Sequence, residues 1–261
     1  SAGNHAQGVA LAATENGVKS LICLPDTAPI SKVEATKGFG AEVCLVEGCY
    51  DDAYQKALEL KEKEGYTFVQ PFDDENVIAG QGTIALEVLT ELDDIDAIVV
   101  PVGGGGLISG IAYTAKKIRP SVKVYGVQVT GAPSMYNSLK NGKIKSLKSV
   151  STIADGIAVK KPGDNTYEYV KKYVDEIALV SDDEVSSAIL ALMEKQKMIA
   201  EGAGAAAVAA VMFNKFDFNG KRVVAIVSGG NIDVTSLSRV IDRGLRNSGR
   251  SSSLLIELID K

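Results

Sequence analysis

The sequence holds one histidine, His5, among 261 residues. A site of several histidine ligands is therefore excluded, and a His-based triad would have to rest on that single imidazole. Cysteine is also scarce. Cys23, Cys44 and Cys49 are odd in number, lack metal-ligand spacing and lie in or beside apolar strand-like runs. They read as buried free thiols in a reducing compartment, which points to a cytoplasmic location. Basic clusters are missing: the net charge is −5 and the lysines are scattered, which argues against a nucleic-acid partner. The longest apolar run, Gly202 to Phe213, is too short and too rich in Ala and Gly to span a bilayer, so no membrane partner is expected. The first residues resemble neither a signal nor a transit peptide, and internal repeats and low-complexity segments are absent. With 46% hydrophobic and 23% charged residues, the chain has the make-up of a globular protein of one large or two smaller domains.

What is present is a run of four glycines, Gly103, Gly104, Gly105 and Gly106. An apolar, β-branched segment from Ile98 leads into it, and a segment of helical period, Leu107 to Ile118, leaves it. Strand, glycine loop and helix in that order let successive backbone N–H groups converge, with the positive end of the helix dipole behind them. The ligand this suits is a phosphate. A nucleotide P-loop would place Lys and Ser/Thr after the last glycine, but Gly110 is followed by Ile111 and Ala112. A dinucleotide site would need spaced glycines and an acidic residue ending the next strand, where this chain has Gln128. A plain turn would not need four glycines in a row, given their cost in chain entropy.

Elsewhere the order of patterns predicts an α/β protein with parallel sheets covered by helices. Helices are expected over 4–16, with Asn4 or Ser1 as cap, and over 29–37, 51–64 and 75–91, with strands over 19–24, 41–46 and 66–69. Further on come strand 122–129, helices near 134–139 and 165–173, and strand 176–180. Ser181-Asp182-Asp183-Glu184 reads as a capping box that starts a helix to about Met198. An Ala/Gly helix over 201–213, strand 221–227 and helix 232–245 complete the pattern. Pro71-Phe72-Asp73-Asp74 is the expected domain boundary, and Leu254 to Ile259 is strand-like. In such sheets ligands bind beyond the carboxyl ends of the strands. Ser1 to Gln7, Gly103 to Gly106 and Ser228 to Asn231 occupy such ends or the helix starts beside them.

Five motifs occur in the order and approximate spacing of the fold-type II pyridoxal-phosphate enzymes. They are Ser1 to Gly8 (SAGNHAQG), Val77 to Thr83 (VIAGQGT), Pro101 to Leu107 (PVGGGGL), Ala154 to Ile157 (ADGI) and Ser228 to Asn231 (SGGN). The chain most resembles the threonine dehydratase and serine racemase group, in its dehydratase branch. The resemblance implies two three-layer αβα domains of tryptophan synthase β-like architecture, incomplete at the N-terminus. The small domain would cover 1–70 and the cofactor-binding domain 71–245, and residues 246–261 would form a linker and the first strand of an ACT-like regulatory domain. It also implies pyridoxal 5′-phosphate as cofactor, with Gly103, Gly104, Gly105, Gly106 and Leu107 at its phosphate, Asn4 at its phenolic oxygen and Ser228 at its pyridine nitrogen. Backbone N–H groups of Ser1, Gly3, Asn4 and His5 would bind the substrate carboxylate. The implied reaction is α,β-elimination of L-threonine to 2-oxobutanoate and ammonia, and of L-serine to pyruvate, in a homodimer or homotetramer.

Departures from the pattern carry expectations too. The group's Schiff-base lysine lies in a Ser-Phe-Lys-x-Arg motif ahead of the Asn loop, and no lysine of this chain lies in one. No catalytic lysine is therefore assigned, and the chain alone is expected to be inactive. Racemases of the group carry a second serine where this chain has Ala2, which favours dehydration. Gln128 stands where metal-binding members have an acidic residue, so no metal is expected. A non-catalytic module for a phosphate ligand remains the alternative from another class. Among individual side chains, His5 reads as satisfied by backbone, Asp155 as a loop-ordering carboxylate and Glu201 as either a helix cap or a neighbour of the cofactor.

Overall fold

The computed structural model describes residues 3–48 and 50–254, with side chains omitted at Tyr50 and Asp51. The chain divides into two compact units, Ser1–Gly80 and Gln81–Lys261. The boundary expected at residue 71 falls just ahead of this division, at the loop that introduces the long helix α4 (Glu75–Glu91).

In the first unit α1 (Asn4–Glu15), β1 (Leu21–Pro25), α2 (Ile30–Gly38), β2 (Glu42–Val46) and α3 (Tyr50–Glu64) follow in order. The two strands pair in parallel, with Cys23 opposite Cys44. Their small core joins Ala6 and Ala10 of α1 to Ile22 and Leu24 of β1 and Val33 of α2. Burial pushes the Cys23 thiol up to about 11, with Cys44 adding to the shift, and both sulfurs are free thiols. Cys49 lies outside the described residues. The strand expected over 66–69 does not form: Tyr66, Thr67 and Val69 are exposed, so the run buries too little apolar surface to hold it against a sheet.

The second unit holds one parallel sheet of order β5-β4-β3-β6, built from β3 (Ala97–Pro101), β4 (Lys123–Val129), β5 (Glu176–Val180) and β6 (Val223–Ala225). Alternation along the strands sorts their side chains between two cores. Ile98, Val100, Val102 and Val124 pack with Ile108, Ile111 and Ala112 of α5 (Gly106–Ile118), with Ala85 and Leu89 of α4, and with Tyr167 and Val170 of α7 (Asp164–Tyr173). Val99, Val127 and Val129 face the other way, onto α8 (Asp182–Ala191) and α9 (Gly202–Met212). Burial on both faces explains why these strands read as unbroken apolar runs. The short α6 (Ser134–Lys140) follows β4, and α10 (Val234–Asn247) packs on α8, where Arg243 Nε donates to Asp183 Oδ1 at 2.6 Å.

Most element ends agree with the sequence pattern, and the exceptions have local causes. The capping box forms in full: Glu184 N–H donates to Ser181 Oγ, and Ser181 N–H donates to Glu184 Oε2 at 2.8 Å. The helix it starts does not reach Met198. It opens at Ala191 into a wide turn over Leu192–Gln196 that ends at Lys197 in the left-handed region, φ 57°. Glu194, Lys195, Gln196 and Lys197 are all exposed, so a further turn of helix there would bury nothing. β6 is three residues long rather than seven, and α10 begins at Val234 because Asp233 takes the cap by accepting from Ser236 N–H. The strand-like run from Leu255 onward lies outside the described residues. Among the described residues no helix is long and apolar enough to cross a membrane.

Candidate active site

The glycine run leaves β3 at the carboxyl edge of the sheet. Val102 N–H still donates to Val127 O at 2.8 Å, and four residues later α5 begins with Gly105 as its cap. Gly105 has φ +104°, a conformation that L side chains rarely adopt. A β-carbon there would also stand 2.8 Å from Met135 Cε and from Thr166 Cβ. At Gly103 the backbone is ordinary, but a β-carbon would stand 3.1 Å from Ile157 Cα. Crowding at Gly103, and crowding with handedness at Gly105, are the physical reasons for glycine at those two positions of the run. The first N–H groups of α5 lack intrahelical acceptors and no side chain caps them, so they present a positive rim. Gly104, Gly105 and Gly106 are buried, while Leu107 is half-buried.

Two side chains that sequence reasoning did not connect with the loop hold its carbonyls. Gln128 Nε2 donates to Val102 O at 3.1 Å while its Oε1 accepts from Tyr136 N–H at 2.8 Å. Thr166 Oγ1 donates to Gly104 O at 2.6 Å, and Gly163 N–H donates to the same oxygen at 3.2 Å. Both side chains are fully buried. A polar residue ending an otherwise apolar strand marked Gln128 in the sequence; Thr166, inside an amphipathic helix, carried no such signal.

The Ser228–Asn231 loop follows β6, which lies beside β3 in the sheet. Gly229 O accepts from Glu201 N–H at 3.1 Å, tying the loop to the start of α9. A β-carbon on Gly202 would meet Ile153 O at 2.6 Å, and one on Gly156 would meet Ala203 Cβ at 3.0 Å. These close approaches join the Ser228 loop, the start of α9, the Ala154–Ile157 turn and Gly103 into one continuous surface at the strand ends. Ser228 itself is exposed. Glu201 occupies the cap position of α9, yet its side chain makes no capping bond; it is 4% exposed, with Oε1 facing Gly156. Capping therefore does not account for its side chain. Asp155 Oδ1 accepts from Gly156 N–H at 3.0 Å and orders the turn.

Gly3, Asn4 and His5 belong to the first unit, at the start of α1. Gly3 takes the cap position and Asn4, expected as a cap, is the first helical residue and is exposed. Gly3 has no side chain with which to cap α1, and the first turn carries no acidic residue. His5 donates from Nε2 to Val69 O at 3.0 Å, and burial holds its imidazole below its ordinary pKa. It is a backbone-satisfied histidine. Ser1 and Ala2 lie outside the described residues. Among the described residues no group of His, Cys, Asp or Glu could hold a metal ion.

A parallel sheet with a crowded glycine loop opening a helix, and a second glycine loop on the neighbouring strand, is the α/β arrangement of the fold-type II class. The chain belongs to the family described as Pyridoxal-phosphate dependent enzyme, which it matches over residues 1–229, and pyridoxal phosphate is that family's cofactor. It is 52% identical over 261 residues to an L-threonine ammonia-lyase of Thermotoga maritima, covering all of this chain and 65% of that protein. The chain thus spans just under two thirds of that relative's length. Among solved structures, the processed form of threonine deaminase isoform 2 from Solanum lycopersicum superposes with a TM-score of 0.88 at 42% identity, over 93% of this chain and 71% of that one. Maize serine racemase superposes with a TM-score of 0.87 at 35% identity, over 95% of this chain and 77% of that one.

Proposed function

We propose that this chain carries the cofactor cradle and substrate loop of an ammonia-lyase that eliminates water from L-threonine, and from L-serine, to release ammonia and a 2-oxo acid. The observation that supports this most is the glycine loop itself, crowded at Gly103 and left-handed at Gly105, so that only backbone can line it. Pyridoxal phosphate, when bound, supplies an electron sink that makes the α-proton of an amino acid acidic. The residues divide the remaining work. N–H groups of Gly103 to Leu107 hold the phosphate through the helix start. Backbone N–H groups of the Ser1 to His5 segment would bind a carboxylate without a charged side chain, which leaves the amino group free to react. Asn4 hydrogen-bonds the phenolic oxygen of the ring. Ser228 meets the ring nitrogen with a hydroxyl, which cannot protonate it as a carboxylic acid would. A hydroxyl at that position would leave the bound ring a weaker electron sink than a carboxylic acid would.

Ala2 in place of a second serine favours elimination over racemisation, despite the likeness to serine racemase. None of the lysines of the chain lies in a Ser-Phe-Lys motif, so on this reading the 261 residues by themselves do not turn over substrate. Incubating the purified chain with pyridoxal phosphate, reducing with borohydride and taking an intact mass tests this. The expected result is no stoichiometric single-site adduct on a 27.4 kDa species and no 2-oxobutanoate from threonine. Labelling of one specific lysine of this chain, with turnover, would overturn the inactivity. Failure of the chain to bind any phosphorylated pyridine would overturn the whole reading.

A further inference from the structure

A peptide unit is planar and trans, so its C=O and the following N–H point in opposite directions. Whatever holds the carbonyl therefore aims the amide. The carbonyl of Val102 shares its peptide unit with the N–H of Gly103, and that of Gly104 shares its unit with the N–H of Gly105. These are the two carbonyls held by buried side chains: Val102 O by Gln128 Nε2 at 3.1 Å and Gly104 O by Thr166 Oγ1 at 2.6 Å. Gln128 can take only one orientation. Val102 O can only accept and Tyr136 N–H can only donate, which fixes the amide nitrogen toward the loop. The hydroxyl of Thr166 comes from α7, whose Ser109 contact on α5 and Gly163 contact on the loop fasten the same corner. Glycines are the least constrained residues in the chain, so without such anchors successive peptide units of the run could rotate.

We infer that Gln128 and Thr166 are positioning residues that aim the N–H groups of Gly103 and Gly105 at the phosphate by fixing the carbonyls behind them. Neither side chain touches the phosphate. A buried amide and a buried hydroxyl thus do from behind what a cationic side chain would do from in front. This deepens the phosphate reading of the glycine loop and rests on it.

The test compares pyridoxamine 5′-phosphate with pyridoxamine by calorimetric titration of the full 261-residue chain. These ligands differ only in the phosphate and need no lysine. The wild-type chain prefers the phosphorylated ligand. Thr166→Val and Gln128→Met each lower that preference about tenfold, the loss expected for an array of amides no longer aligned. Thr166→Ser, which keeps the hydroxyl, restores it. A merely structural role would weaken both ligands equally and leave the ratio unchanged, and that result in either variant overturns the inference. Near-UV circular dichroism identifies a variant that has not folded, in which case the other variant decides by the same ratio. A wild-type chain without preference for the phosphorylated ligand would instead overturn the phosphate reading, before any variant is needed.

Discussion

The carbonyl oxygen of Gly229 stands 2.3 Å from where a β-carbon on Gly204 would be, so helix α9 and the Ser228 loop approach each other through backbone. The same loop carbonyl accepts the N–H of Glu201, which starts that helix. Gly204→Ala therefore has no flexible side chain to displace and must push the helix and loop apart. Its unfolding midpoint in urea should fall by the equivalent of about 2–3 kcal/mol, the upper part of the usual overpacking cost. Binding of pyridoxamine 5′-phosphate should weaken with it. A variant of wild-type stability would show that the loop yields easily and that the close approach is not needed.

Two glycines of α4 should respond to alanine with opposite sign. A β-carbon on Gly80 meets nothing within 4 Å, whereas one on Gly82 would stand 2.5 Å from Thr114 Oγ1 and 3.2 Å from Gly110 O on α5. Gly80→Ala should stabilise by about 0.5–1 kcal/mol through helix propensity alone. Gly82→Ala should destabilise by about 1–3 kcal/mol because α4 can no longer approach α5 so closely. Thermal unfolding of the two variants side by side gives both signs, and equal shifts would refute the packing argument.

Ser181→Ala removes the hydroxyl that accepts from Glu184 N–H and leaves that amide without its cap. The expected loss is about 1 kcal/mol. Glu184 also pairs with Lys215 at 2.7 Å, so Glu184→Gln keeps part of the box while losing the ion pair. Its effect should be the smaller of the two, measured by urea unfolding at neutral pH.

His5 should make stability depend on pH. Burial lowers its pKa from the ordinary 6.5, so the unfolded chain binds this proton more readily than the folded one. The stability contributed by the neutral ring is complete above pH 6.5 and is lost as the pH falls from there through the folded value. A urea midpoint that drops between pH 7.5 and pH 5.5 in wild type, and less in His5→Gln, is the expected result. Parallel curves for the two proteins would mean that other groups carry the dependence.

Much of the architecture was legible because the signals are local. Apolar runs ending in glycine, a capping box and helical periods placed nearly all the elements. The misplaced ends have local causes: Glu194 to Lys197 are exposed, so a further helical turn there would bury nothing, and Asp233 takes the cap of α10. The glycine loop was legible as a strand-to-helix loop lined by backbone, since four residues without side chains lie between an apolar run and a helical period. Why Gly103 and Gly105 are required was not, because neighbours distant in sequence set the crowding: Ile157 at Gly103, and Met135 and Thr166 at Gly105.

The sequence by itself determined the family, the parallel α/β class and the motifs that carry chemistry, since those depend on residue type, order and period. Only the tertiary structure decided that Gln128 holds the Val102 carbonyl, that the Glu201 side chain is buried without capping α9, and that Thr166 holds the Gly104 carbonyl. Each of those facts depends on which distant group a polar atom meets once the sheet has closed over it, and burial leaves such an atom no solvent to meet instead.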